Sequence, residues 1–279
     1  MVTGNMDFIK GFKFDINFPM SQNFTTSHSW SIPNSGTMES SPHPMMPAQP
    51  LAPVYTFTTQ LVRDIKGREP TTIMVGKVDT EGKVDSIFIK KLNEYFTLRL
   101  TGQFLSKNLE QGMMMMDMDY EGKDCNGQFK WGPGHWGVNF MQKVHTNLMI
   151  GFDYTNVYQQ KMAAFSYGLM GMVGKHSLMA QYMAMHQQFN LAYMIPIKRG
   201  STFISHYKYD ATSQKSSATI GLKQRYKDSE IVATVNSNLK LSTNFTLKGP
   251  SYGIRLCAQA DYAKQDYNFG YGVTIGMME

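Results

Sequence analysis

The chain has 279 residues, and its 27 basic and 21 acidic side chains leave a net charge of +6. Lys and Arg are scattered rather than gathered, so the charge builds no nucleic-acid-binding patch. Two cysteines, Cys125 and Cys257, exclude a disulfide-knit secreted scaffold and fit a reducing environment. No apolar run approaches the ~18 residues that a membrane-spanning helix requires, and Met1 to Lys10 lacks the charged-then-apolar layout of a secretory signal. The mean hydropathy of −0.33 leaves a membrane β-barrel open, because lipid-facing and lumen-facing residues alternate and cancel.

From Gly11 onward the dominant pattern is period two, in segments of ~8 to 11 residues broken by Gly, Asn, Asp and Pro. The first segment sets Phe12, Phe14, Ile16 and Phe18 against Lys13, Asp15 and Asn17. A membrane barrel turns such faces toward lipid and lumen respectively. Residues 33–53, rich in Pro, Ser and Met, are expected to form a long loop between strands two and three. Further along, Phe96, Leu98 and Leu100 oppose Thr97, Arg99 and Thr101. Leu241, Thr243, Phe245 and Leu247 then oppose Ser242, Asn244, Thr246 and Lys248. Ile254, Leu256, Ala258, Ala260 and Tyr262 oppose Arg255, Cys257, Gln259 and Asp261, and the last segment sets Phe269, Tyr271, Val273 and Ile275 against Asn268, Gly270, Gly272 and Thr274. With turns such as Glu81-Gly82, Glu121-Gly122 and Lys248-Gly249-Pro250 between segments, the pattern parses into roughly nineteen strands. That is more than twice the usual β-sandwich. The expected fold is all-β: one membrane barrel over residues 11–276, antiparallel except where first and last strands close. A short N-terminal segment (1–10) and a C-terminal tail (277–279) flank it.

The terminal stretch Asn268-Phe-Gly270-Tyr-Gly272-Val273-Thr-Ile275 resembles the sorting signal that mitochondrial barrels carry in their last strand. On that match Asn268, Gly270, Val273 and Ile275 are the sorting residues, and a charge at Gly270 or Ile275 is expected to block insertion. The segments Ile73-Met-Val-Gly76-Lys-Val-Asp79-Thr-Glu-Gly82-Lys-Val-Asp85-Ser and Met118-Asp119-Tyr120-Glu-Gly122-Lys-Asp124 are similar to the channel-forming subunits of the translocase of the outer mitochondrial membrane (the TOM complex), within the mitochondrial porin superfamily. A sister family, the voltage-dependent anion channels, is echoed by Gly221-Leu222-Lys223. The translocase resemblance implies a protein-conducting channel of the mitochondrial outer membrane importing presequence-bearing precursors; the sister family implies an anion-selective metabolite porin. It also implies receptor and small helical subunits on the outer wall and a second barrel copy near the first and last strands, in contact with lipid and without nucleic acid. Both families place a helix in the lumen ahead of the first strand, whereas here about ten residues precede Gly11.

Presequences are basic amphipathic helices, so inward carboxylates would attract them. By alternation the translocation-path candidates are Asp15, Asp117, Asp119, Asp153, Asp210 and Asp261. They are interleaved with Lys13, Arg99, Lys130, Lys143, Lys208, Lys223, Lys248 and Arg255, so the lumen is expected to be mixed in charge. Asp117, Asp119 and Asp153 are expected to form an acidic strip. Asp117-Met-Asp119-Tyr-Glu121-Gly122 opens like a calcium loop, but its fifth and twelfth positions, Glu121 and Gln128, break the pattern. The seven histidines show no zinc spacing, and no arrangement of nucleophile and base stands out. Neither metal, cofactor nor enzymatic activity is expected. Met113 to Met116, part of 23 methionines, read as strand filler or as a soft client surface.

Overall fold

The computed structural model describes residues 9, 11–33, 53–66, 69–105, 108–158 and 161–276. The segment 34–52, in which the long loop is expected, the N-terminal residues 1–8 and the tail 277–279 lie outside the described residues. The described strands are β1 (Gly11–Ser21), β2 (Phe24–Ile32), β3 (Val54–Lys66), β4 (Glu69–Asp79), β5 (Lys83–Lys91), β6 (Phe96–Leu105), β7 (Asn108–Glu121), β8 (Cys125–Gly132), β9 (His135–His145) and β10 (Leu148–Val157). They continue with β11 (Met162–Val173), β12 (His176–Met183), β13 (Gln188–Lys198), β14 (Ser201–Asp210), β15 (Lys215–Arg225), β16 (Ser229–Asn236), β17 (Lys240–Lys248), β18 (Tyr252–Asp261) and β19 (Asp266–Ile275).

Each strand pairs antiparallel with the next, and β1 also pairs with β19, which closes one 19-stranded sheet on itself. An odd number of up-and-down strands leaves the first and last running the same way. The seam is accordingly parallel, from Gly11 opposite Gly270 to Ile16 opposite Ile275. Closure pairs every strand edge, so the backbone needs no water along the outer wall. No described helix is long and apolar enough to cross a membrane, and crossing by strands needs none.

The two faces separate as the alternation predicts. Phe18, Trp30, Met74, Trp131, Leu222 and Phe269 share the outward parity and are all exposed. Among the described hydrophobic residues only Cys257 is buried. A water-soluble fold would not leave so much apolar surface bare; a barrel covers it with lipid. Aromatic groups thicken this wall, as where His28 sits among Phe57, Trp30 and Tyr55 with ring centroids 5.1, 6.1 and 6.0 Å away. The His28 Nδ1 meets the Tyr55 hydroxyl at 2.6 Å, and His176 Nδ1 meets that of Tyr193 at 2.7 Å. Such pairing satisfies polar groups that would otherwise be costly on a lipid-facing wall, and aromatic rings with polar tips suit the membrane interface.

On the rim where β1 and β19 begin, hairpins after β10, β12, β14, β16 and β18 end in a residue with positive φ: Lys161, Gln187, Gln214, Leu239 and Gln265. None is glycine, so each carries the left-handed penalty of an L side chain. Leu239, at φ 57° and 63% exposed, gains nothing from burial in return. Leu239→Gly is expected to stabilise the barrel by up to about 1 kcal/mol, read as a higher urea midpoint in lipid vesicles. An unchanged or lower midpoint would show that the strain is relieved in another way.

Candidate functional site: the pore wall

Cross-strand register decides which inward residues meet. Asp119 on β7 lies opposite Gln128 on β8, Gln128 opposite Asn139 on β9, Asn139 opposite Asp153 on β10, and Asp153 opposite Ser166 on β11. These residues form one polar ladder across five neighbouring strands. The Gln128 Nε2 donates to Asp119 Oδ1 at 2.6 Å, and the Asn139 Nδ2 donates to Asp153 Oδ2 at 3.0 Å. Thr155 Oγ1 donates to Asp153 Oδ1 at 3.4 Å. Amide donors hold the two carboxylates in place without neutralising them, so the row presents negative charge to the lumen.

Asp117 shares this face, but its cross-strand neighbours are Arg99 on β6 and Lys130 on β8. It is therefore flanked by cations, and the acidic strip narrows to Asp119 and Asp153. Asp15 has the Lys13 Nζ at 3.4 Å. Asp210 accepts the Thr212 and Ser213 backbone N–H groups at 2.9 and 3.1 Å, and Asp261 accepts that of Lys264 at 3.1 Å. Both carboxylates cap rim turns by accepting from the turn backbone. Gln128, the residue at which the calcium pattern fails, is the donor that fixes Asp119. Among the described residues no group of three His, Cys, Asp or Glu side chains is placed to hold a metal ion.

The opposite sector carries the other sign. Lys208, Lys215, Lys223, Arg225, Lys240, Lys248 and Arg255 stand on the inward parity of β14–β18. Lys223 Nζ lies 2.8 Å from Glu230 Oε1, and the Arg225 Nε and Nη2 bond Glu230 Oε2 at 3.1 and 3.0 Å. The cation of Gly221-Leu222-Lys223 is thus engaged by a carboxylate. Between the two charged sectors, β11 and β12 present no charged residue inward; Met170, Met172 and Met179 lie there.

The terminal motif divides between the faces. Phe269, Tyr271, Val273 and Ile275 point outward, while Asn268, Gly270 and Gly272 lie on the pore parity, opposite Gln259, Cys257 and Arg255. Ile275 is the last residue of β19, so a charge there sits at the rim rather than at mid-membrane, and the expected penalty belongs to Tyr271 instead. Gly270 has a steric reason that the sequence does not reveal. A Cβ there would lie 1.7 Å from the Ile9 carbonyl oxygen, and one at Gly272 would lie 2.8 Å from Ile9 Cδ1. Gly11, at φ 99°, makes the turn that carries the chain back over this spot. Ile9 therefore lies on the pore side of the seam. The two cysteines are free, Cys257 pore-side and Cys125 on the outer parity of β8.

Comparison with known proteins agrees with this architecture. Solved structures of a Rhodopseudomonas blastica porin share the fold at 10% identity, with TM-scores of 0.53 and 0.51 over 79% and 77% of this chain and 96% and 95% of theirs. A curated relative, the "Probable mitochondrial import receptor subunit TOM40-2" of Arabidopsis thaliana, is 23% identical over 270 residues, covering 96% of this chain and 84% of its own length. The profile of the eukaryotic porins matches residues 4–270, nearly the whole barrel, and the chain belongs to the eukaryotic porin family.

Proposed function

We propose that this barrel, a channel of the mitochondrial outer membrane, conducts presequence-bearing precursor proteins. The observation that carries the reading is the fixed acidic row of Asp119 and Asp153 on a wall wide enough to be lined by nineteen strands. A basic helix in transit meets carboxylates held by amides rather than by cations, in a sector with an uncharged neighbour on β11–β12. Contacts of this kind attract without trapping, because each charge pair in a wet pore is worth only about 1 kcal/mol. The likeness to an import-receptor relative supports the same reading. Receptor subunits, single-span helical subunits and a second barrel copy would then occupy the outer wall. The polar-x-Gly-x-x-hydrophobic-x-hydrophobic stretch ending at Ile275 would serve as the sorting signal.

A second reading, an anion-selective metabolite porin, draws on the inward cations of β14–β18. Ion pairing at Glu230 lowers the free positive charge of that sector, which favours the first reading. Single-channel recording of the purified chain in a planar bilayer separates them. Transient, voltage-dependent block by a basic presequence peptide is expected; an anion-selective channel indifferent to the peptide would establish the porin reading.

A further inference from the structure

Cross-strand register also organises the pore wall beside the acidic ladder. Two residues along each strand from the Asp153 row lies a row made of Met141 on β9, Gly151 on β10, Gly168 on β11 and Gln181 on β12. Two residues further lies a row of Met149, Met170 and Met179 on β10, β11 and β12, with Lys143 of β9 at its rim end. Met172 and Met194 extend the apolar surface in the next row, where both oppose Ser177. Met149, Met170 and Met179 are half-buried on the pore parity. Between the carboxylates and the methionines the floor is low. A Cβ on Gly168 would find only the Gly151 carbonyl oxygen, 4.0 Å away, while Met141 leans across Gly151 with its Cγ 2.7 Å from where a Cβ would stand.

Four residues at about 3.3 Å per residue put the acidic and methionine rows roughly 13 Å apart, close to the ~10–12 Å diameter of a helix with its side chains. On β9–β12 one edge of this groove carries Asp153 among Asn139, Ser166 and Met183, with Asp119 continuing that row on β7, and the other edge is apolar from Met149 to Met179. We propose that the groove on β7–β12 receives the basic amphipathic helix of a client, with cations toward Asp119 and Asp153 and the apolar face on Met149, Met170 and Met179. The inference rests on the import reading and adds the apolar half of the contact. Charge complementarity selects the occupant: a wholly apolar segment would leave the carboxylates unmatched, and a uniformly basic one would gain nothing from the methionines. Methionine suits the task because its three rotatable bonds and polarizable sulfur accept apolar faces of differing shape. A groove that must pass many sequences needs that tolerance more than it needs close fit.

The test compares two peptides of identical composition, one a basic amphipathic helix and the other scrambled to lose the apolar face. Each is titrated against single channels of the intact chain and of a Met149→Gln, Met170→Gln, Met179→Gln variant. The glutamines keep side-chain size, and unchanged unitary conductance verifies the pore; Met179→Gln alone serves if the triple variant does not insert. The concentration giving half-maximal block by the amphipathic peptide is expected to rise about tenfold, with the scrambled peptide unaffected. Leucine at the three positions is expected to leave both peptides unaffected. Wild-type block by the amphipathic peptide that persists undiminished in the glutamine variant would overturn the groove while leaving the import reading standing. Equal weakening of both peptides would also overturn it, since the methionines would then act on the pore as a whole. Absence of block in the wild type would overturn both.

Discussion

Tyr271→Lys is expected to abolish stable insertion of the barrel. Tyr271 is on the outer face near the middle of β19 and is half exposed, with its ring centroid 4.8 Å from that of Phe12 across the parallel seam. A lysine facing lipid near mid-membrane costs ~2–4 kcal/mol, and the lost ring contact adds about 1 kcal/mol. The seam is the weakest place to absorb that loss. It joins β1 and β19 over six register pairs, whereas β18 pairs with β19 over ten, and parallel pairing is slightly less stable per residue. Thr274→Lys is the control: Thr274 lies on the same strand but on the pore parity, opposite Asp15, where an added cation finds water and a carboxylate. Folding into lipid vesicles, read by heat-modifiable gel mobility, is expected to fail for Tyr271→Lys and to proceed for Thr274→Lys. Equal folding of the two would mean that the assignment of faces on β19 is wrong.

Alternation alone gave the strand number, the closed architecture and the side of the wall on which each candidate carboxylate lies, because a side-chain period of two survives any uncertainty about turns. What alternation leaves open is height. Whether Asp119 meets Asp153 depends on the lengths of three successive turns and on irregularities such as the shift at Leu148/Met149, and a one-residue slip moves every side chain to the opposite face. The expected trio of Asp117, Asp119 and Asp153 therefore resolves into a flanked residue and a ladder only when register is known. Asp210 and Asp261 illustrate a different gap: parity places them inward, but their carboxylates fold back onto the turn backbones that follow. The methionines of the groove are separated by up to thirty positions from Met149 to Met179, and no local motif joins them. The run Met113–Met116, conspicuous in the sequence, divides between the two faces, with Met113 and Met115 on the pore parity and Met114 and Met116 outward. Gly270 was legible as part of a motif, yet its contact with Ile9 required the turn at Gly11.

The double variant Asp119→Asn, Asp153→Asn is expected to raise the concentration of presequence peptide needed for half-maximal block roughly tenfold, at unchanged unitary conductance to within the effect of two lumen charges. Asparagine preserves side-chain size, and a rotated amide still bonds Gln128 and Asn139, so the ladder persists while its charge is removed. Each pair of opposite charges at about 4 Å in a water-filled pore contributes near 1 kcal/mol, and two such losses amount to more than a factor of ten unless salt shares the work. Raising the ionic strength to about 1 M, where the Debye length falls to ~3 Å, is therefore expected to weaken block of the wild type and to leave the double variant almost unchanged. Asp117→Asn supplies the internal comparison. Because Arg99 and Lys130 stand opposite it on the neighbouring strands, a basic peptide meets Asp117 beside two like charges, and its removal is expected to shift peptide block by less than either ladder residue alone. If Asp117→Asn proves as damaging as the ladder substitutions, the attraction resides in the total lumen charge and not in the row that Gln128 and Asn139 hold in place.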